Sequence, residues 1–449
     1  MTDKNSRAAV LDILTEVLEN GKFCHIVMRN KLADCTGFSK QDRAFITRMA
    51  QGTIEKCIEL DYIINYFSKV KVKKMKPVIR NILRMSVYQI KYMDSVPDSA
   101  VCNEAVKLAV KRGYSGLKGF VNGVLRNIVR EQQKCIIDDE NFPVKYSVPE
   151  WLVNMWIKDY GIEKTESMLI SSAKESKICI RHNTSKCSRE DFLKLMEKDK
   201  ARCEPSEISE DIFYLSDIDR LDDMDTFRNG LFQVQDMSSA MAGYAASPKP
   251  GDICVDVCAA PGGKTIHMAD LLNGTGCVYS RDISQEKVRL ILENGERTGF
   301  SNIKAEVWDA LKDDTALHGK ADIVIADLPC SGLGVISKKP DIKYRVSVKD
   351  IEELSQLQRK ILSVISLYLK PGGRLIYSTC TVDMKENQEN RKWIIENLPF
   401  EPESLEGKVP DGIKYDSLKD GYMQIFPGDY GMDGFFVASF KKIRKDIEV

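Results

Sequence analysis

Histidine is scarce in this chain of 449 residues, with only His25, His182, His267 and His318, all far apart. The 13 cysteines include no Cys-x2-Cys pair, so a structural zinc site is not expected and no metal is called for. Their odd number and scattering through apolar periodic segments also exclude a secreted disulfide framework, and they read as thiols. Long apolar runs are missing. Stretches such as Ile361 to Leu369 stop well short of the roughly 18 residues a membrane span needs. Met1 to Val10 lacks the basic start, apolar stretch and small-residue site of an export signal, so a cytoplasmic protein is expected, with no membrane partner. No low-complexity tract is present. At 43% hydrophobic and 29% charged the balance is globular, and the length is about three times a typical domain of roughly 150 residues.

The formal net charge is zero, but it is unevenly distributed. Residues 1–133 hold 23 Lys and Arg against 13 Asp and Glu, leaving 43 against 53 in the remainder. A basic first part on an acidic body points to a polyanion as its partner. Its densest run is Lys69, Lys71, Lys73, Lys74 and Lys76, just before Pro77 opens a helix. Such a run is either a solvated loop or a phosphate contact.

Apolar residues recur at helical spacing through residues 6 to 131, as in Val10, Ile13, Leu14, Val17 and Leu18, and predict an all-α bundle over 1–135. The Pro-marked stretch from Asp138 to Pro149 opens a linker and a small α+β subdomain over 136–230. Its strands are expected at Ile178 to Arg181 and Ile212 to Leu215, with a helix at Arg189 to Lys198. From 231 to 445 the texture changes. Apolar strands at Ile253 to Val257, Val278 to Ile283, Ile323 to Ala326 and Leu375 to Ser378 alternate with helices at Gln285 to Thr298 and Asp350 to Leu369. That alternation predicts an α/β domain with a parallel sheet wound on both faces. A last strand, Phe435 to Phe440, is expected to pair with Met423 to Phe426.

Ligands of such a sheet lie beyond the carboxyl ends of its strands, where the strand order reverses. After the first strand comes Asp256-Val-Cys258-Ala259-Ala260-Pro261-Gly262-Gly263-Lys264-Thr265. Its two glycines allow close backbone approach to a ligand and open a helix. A phosphate-binding P-loop would need glycine where Cys258 stands, which excludes a nucleoside triphosphatase. Asp282, Asp309 and Asp327 follow the next three strands. One such acid alone is a turn or cap residue; four in register with a glycine loop describe a site for an adenosine-bearing cofactor. Two cysteines, Cys330 in Asp327-Leu-Pro-Cys-Ser-Gly and Cys380 in Ser378-Thr-Cys-Thr, lie just beyond strands on the same edge.

These three segments together resemble the RNA cytosine-5 methyltransferases that use S-adenosylmethionine. The basic helical part resembles NusB, and the fusion, with Lys339-Pro-Asp-Ile-Lys343, is similar to the RsmB (Sun, Fmu) family, whose members methylate 16S ribosomal RNA. The resemblance implies a NusB-like all-α RNA-binding domain, a small ferredoxin-like (RRM-like) α+β subdomain and a Rossmann-like methyltransferase domain. It implies that Cys258, Ala259, Ala260, Pro261, Gly262, Gly263 and Lys264 form the cofactor loop. Asp282 would bind the ribose, Asp309 would lie beside the adenine, and Asp327 would sit where cofactor and base meet. Cys380 would be the nucleophile and Cys330 would assist product release. Leu328 stands where the family more often has Ala or Val, a small departure.

The chemistry matches this division of labour. Carbon 5 of cytosine attacks a methyl group only after a thiolate adds at carbon 6, and a second group must then help remove the carbon-5 proton and expel the thiolate. Asp327 could donate to ring nitrogen 3 if burial raised its pKa. The base must be unstacked or flipped, with Arg7, Arg43, Lys73 and Lys74 as candidate phosphate contacts. A DNA cytosine methyltransferase would place its nucleophile in the Pro-Cys motif, at Cys330. An amino-group methyltransferase would show Asp/Asn-Pro-Pro-Tyr/Phe instead of Asp327-Leu-Pro-Cys330. Cytosine-5 methylation of another RNA, or a non-catalytic RNA-binding or assembly factor, are the remaining alternatives. A monomer is expected.

Overall fold

The helical periodicity of the N-terminal third and the strand–helix alternation after it both appear in the computed structural model, which describes residues 5–34, 37–174, 177–218 and 220–443. The expected domain end at 445, and one of the cysteines, Cys35, lie outside the described residues. The chain divides into two compact units, Met1–Ala173 with Ile336–Arg345, and Lys174–Val335 with Val346–Val449.

The first unit is helical. Helix Lys40–Glu55 begins with a capping box, in which the Ser39 hydroxyl accepts from Asp42 N while the Asp42 carboxylate accepts from Ser39 N. Helix Pro77–Tyr92 starts with proline at its first turn and buries Ile79, Ile82, Leu83 and Val87 on one face. Each such side chain contributes roughly 1.5–3 kcal/mol when fully buried. The short segment Ile336–Arg345 belongs to this unit although its sequence neighbours do not. Asp341 accepts from Cys24 N, the first residue of helix Cys24–Asp34, at 3.1 Å, and Lys343 donates to Glu55 O, at the end of helix Lys40–Glu55, at 2.9 Å. An acid at a helix start and an ammonium at a helix end each complement the helix dipole. Burial lowers the Lys343 pKa to about 8.

The second unit holds two sheets. The smaller contains β1 (Ile178–His182), β2 (Arg202–Pro205), β3 (Ile212–Ser216) and β4 (Phe232–Val234), antiparallel in the order β2-β3-β1-β4. Phe192 and Met196 of helix Arg189–Lys198 pack on it against Ile180, Phe213 and Phe232. The Arg181 guanidinium, buried, donates to Asp270 and Gln235 at 3.1 and 3.0 Å and thereby ties β1 to the helix that carries Asp270.

The larger sheet contains β5 (Ile253–Asp256), β6 (Cys277–Asp282), β7 (Ile303–Val307), β8 (Ala321–Asp327), β9 (Leu369–Thr379), β10 (Phe400–Pro402), β11 (Tyr422–Ile425) and β12 (Phe435–Lys442). Its order is β10-β12-β9-β8-β5-β6-β7, with β11 paired to β12. Strands β5 to β9 run parallel, and β12 joins β9 antiparallel. Both faces are covered, as the alternation along β8 requires. Ile323 and Ile325 meet Met241, Met268 and Ala269 on one side, while Val324 and Ala326 meet Ile361, Leu362 and Ile365 on the other. The chain runs from β5 outward to β7 and returns to β8 on the other side of β5. The reversal point therefore lies between the carboxyl ends of β5 and β8.

Candidate active site

The loop after β5 fills the reversal point. Gly262 adopts φ +105°, in the left-handed region that favours glycine, and caps helix Gly263–Leu271. The sequence Cys258, Ala259, Ala260, Pro261, Gly262, Gly263 and Lys264 thus turns from strand to helix in seven residues. Cys258 is partly exposed in area, yet burial pushes its thiol pKa up. Beneath the loop, Asp256 is buried. One of its oxygens accepts from the Thr265 hydroxyl at 2.8 Å, and Oδ1 has no partner among the described residues. Burial raises its pKa to about 7.

Asp282 ends β6 and is buried. It accepts from Ala260 N at 3.0 Å and Ile283 N at 2.8 Å, and pairs with Lys287 at 3.0 Å. The Ala260 bond fixes the cofactor-type loop to the neighbouring strand end. Asp309 lies two residues beyond β7 and accepts from Leu311 N at 3.0 Å. No hydrogen bond joins it to the other three acids among the described residues.

Asp327 ends β8 and faces Lys264 across the reversal point, with Nζ to Oδ2 at 2.6 Å. Its other oxygen accepts from Ser378 Oγ at 3.0 Å. Lys264 also donates to Ser239 Oγ at 2.9 Å and lies over the Phe435 ring. Burial works to lower the Lys264 pKa, but the Asp327 carboxylate outweighs it and the net shift is upward. Asp327 is therefore half of an ion pair with the Lys264 ammonium.

The two cysteines meet. Cys330 Sγ and Cys380 Sγ are 3.3 Å apart, each beyond the end of one of two adjacent parallel strands. The hydrogen bond with Cys380 and burial push the Cys330 pKa well up, with the Glu386 and Asp327 carboxylates adding to the effect. Cys330 thus holds its proton firmly. Gly334 N donates to Cys380 O at 3.1 Å, and a Cβ on Gly334 would lie 2.1 Å from Gly434 O. That Cβ would also lie 2.9 Å from Cys380 O, so only glycine permits the loop after β8 to approach both the loop after β9 and the loop before β12 this closely.

Sequence reasoning missed the layer under these loops. Glu386 and Asn387, on the widened helical turn Lys385–Glu389, and Gln358, on helix Val348–Ile365, are fully buried and polar. Glu386 accepts from Ser331 N at 3.0 Å, from the Ser331 hydroxyl and from Gln358 Nε2 at 2.9 Å. The only sequence signal was Glu386-Asn387 standing six and seven residues after Cys380, inside a charged run that reads as solvated.

The candidate phosphate contacts differ among themselves. Lys73 and Lys74 are exposed, whereas Arg7 donates to Gln89 at 3.0 Å and stacks on Phe45, and Arg43 donates to Phe38 O at 3.0 Å. No helix among the described residues is long and apolar enough to cross a membrane.

Comparison with known proteins gives matches along the whole chain. Residues 244–441 match the family described as 16S rRNA methyltransferase RsmB/F, residues 4–130 the NusB family, and residues 148–218 the ferredoxin-like domain of RsmF/B-like methyltransferases. The probable ribosomal RNA small subunit methyltransferase B of Bacillus subtilis (strain 168) is 36% identical, with 98% of this chain and 100% of that protein covered. The ribosomal RNA small subunit methyltransferase B of Shewanella oneidensis is 28% identical, with 98% and 99% covered. Among solved structures, that of PH0851 superimposes with a TM-score of 0.83 at 27% identity, covering 98% of this chain and 99% of that one. A methyltransferase homologue from Pyrococcus horikoshii gives a TM-score of 0.57 at 25% identity, covering 68% and 100%.

Proposed function

The chain belongs to the RsmB family of 16S ribosomal RNA methyltransferases, and from that premise we propose that it methylates carbon 5 of a cytosine in that RNA through a covalent Cys380 adduct. The observation that carries the reading is the pair of thiols 3.3 Å apart, placed on the same sheet edge as the acid-lined reversal point.

S-adenosylmethionine is the methyl donor and supplies an electrophilic methyl group on a sulfonium. The residues present suit it. A molecule bearing a sulfonium, an ammonium and a ribose diol suits a sheet edge with carboxylates at three strand ends, one of which has a buried oxygen without a partner among the described residues. Cys258 to Lys264 would form its loop, Asp282 would hold the ribose, and Asp309 would lie toward the adenine. The Asp327–Lys264 pair sits at the join with the base, where Lys264 is the donor available to ring nitrogen 3.

The thiolate of Cys380 would form a bond to carbon 6, and the 5,6 double-bond electrons would shift onto carbon 5, which would take the methyl group as the methyl carbon–sulfonium bond breaks with its electron pair left on that sulfur. In release a water molecule takes the carbon-5 proton, the electron pair of that carbon–hydrogen bond re-forms the 5,6 double bond, and the carbon 6–sulfur bond breaks with its electron pair returning to Cys380. Cys330, which keeps its proton, hydrogen-bonds that sulfur and assists its departure. The target base must come out of the stack, and the exposed Lys73 and Lys74 are the best-placed of the candidate phosphate contacts in the helical unit.

The test is the identity of the modified nucleoside. Small-subunit ribosomal RNA incubated with the protein and S-adenosylmethionine is digested and analysed by mass spectrometry. 5-Methylcytidine is expected; a methyl group on an amino nitrogen or on another base would overturn the reading.

A further inference from the structure

Two neighbouring buried residues hold the flanks of the two thiols. On the Cys330 side, Glu386 takes Ser331 N and the Ser331 hydroxyl, while Gln358 Nε2 bridges from Glu386 to Pro329 O at 2.9 Å. Both residues adjoining Cys330 are thereby fixed. On the Cys380 side, Asn387 accepts from the Thr379 hydroxyl at 2.5 Å and donates to Thr381 O at 3.0 Å, so both residues adjoining Cys380 are fixed as well. The two halves are joined once more through Ser331 Oγ and Thr381 Oγ1, 2.7 Å apart. The turn that carries Glu386 and Asn387 is itself anchored, since the Tyr377 hydroxyl of β9 donates to Glu386 O and Asn387 donates to Gln424 at 2.8 Å.

We propose that Glu386 and Asn387 are the positioning residues that set the spacing of Cys330 and Cys380. Each acts through the residues on both sides of one cysteine, and because they are consecutive in the chain, a single helical turn fixes the two loops relative to each other. The carboxylate is fully buried, is satisfied by three donors, and has no basic side chain bonded to it among the described residues. The functional meaning rests on the covalent reading above; the spacing itself does not.

The test separates the two. In the full-length protein without RNA, diamide takes two hydrogens from neighbouring thiols as they form a disulfide, and peptide mass spectrometry reports how fast Cys330 and Cys380 become linked. The wild type is expected to form this disulfide readily. Glu386→Ala and Asn387→Ala are expected to slow it by about tenfold or more and to lower methyl-transfer kcat by a similar factor, with the KM for S-adenosylmethionine little changed. Glu386→Gln, which keeps an acceptor for Ser331 N but can set its amide against Gln358, should fall between. Ser331→Ala keeps the carboxylate and two of its donors, so it carries the test even where Glu386→Ala fails to fold, and should slow the disulfide by roughly threefold. A wild type that forms no disulfide, or folded variants that form it at the wild-type rate, would overturn the proposal. Retained turnover in Cys380→Ala would instead refute the covalent reading and leave the disulfide rates as they are.

Discussion

The loops after β5 and β6 and the loops after β8 and β9 share one sheet edge, yet they are built in opposite ways. On the β5–β6 side one acceptor is left over: Asp256 Oδ1 has no partner among the described residues, although Asp282 is bonded to the loop through Ala260 N and Ile283 N. On the β8–β9 side the polar atoms flanking both sulfurs bond to buried side chains, and glycine brings the loops into backbone contact. The contrast separates two tasks. A site that receives a ligand keeps acceptors free for it, whereas a site that holds two reacting groups at a fixed distance uses the neighbouring polar atoms to hold them.

Substitutions should divide along the same line. The largest effect is expected at Cys380: Cys380→Ala should reduce methyl transfer to small-subunit ribosomal RNA by about 1,000-fold or more, while S-adenosylmethionine binding measured by calorimetry stays close to wild type. Asp282→Ala should do the reverse. Loss of the carboxylate proposed to hold the ribose, which also fixes the loop through Ala260 N, is expected to weaken cofactor affinity by roughly 10- to 100-fold, with thiol spacing, read as the Cys330–Cys380 disulfide rate, unaltered. Equal losses of both properties in either variant would dissolve the distinction.

A smaller effect concerns pH. Burial raises the Glu386 carboxyl from 4.5 to about 7. A group whose pKa is raised by folding contributes stability that is fully present below its unfolded pKa and is lost as pH rises through the folded value. Wild type should therefore lose on the order of 2 kcal/mol relative to Glu386→Gln between pH 4.5 and about 7, as followed by urea unfolding at a series of pH values. A pH-independent difference would mean that Glu386 is ionised in the folded protein at no cost.

The same contrast explains what the sequence made legible. Asp282, Asp327, Cys330 and Cys380 each follow an apolar run that reads as a strand, so their common edge could be inferred before any coordinates. Glu386, Asn387 and Asn390 lie in Lys385-Glu-Asn-Gln-Glu-Asn390, a run with the composition of a solvated helix face, and nothing local marks them as buried. Strand β9 was expected only at Leu375 to Ser378, because Pro371-Gly372-Gly373 reads as a break. In the structure it begins at Leu369, paired with Ala321, and a register shift absorbs the irregularity before Arg374 pairs with Ile323. The edge strands β2, β4 and β10 were not anticipated, since three or four residues carry too little alternation to register. Lys339-Pro-Asp-Ile-Lys343 was recognised as a motif, but its burial within the helical unit depends on the distant partners Cys24 and Glu55.

The central claim is that the two thiols have different tasks, and the most direct measurement is a denaturing gel of wild type, Cys330→Ala and Cys380→Ala after incubation with labelled small-subunit ribosomal RNA and S-adenosylmethionine. Cys330→Ala is expected to accumulate a covalent protein–RNA band, because attack proceeds and release stalls, while Cys380→Ala shows none. A band in Cys380→Ala and none in Cys330→Ala would place the nucleophile at Cys330 and contradict the account.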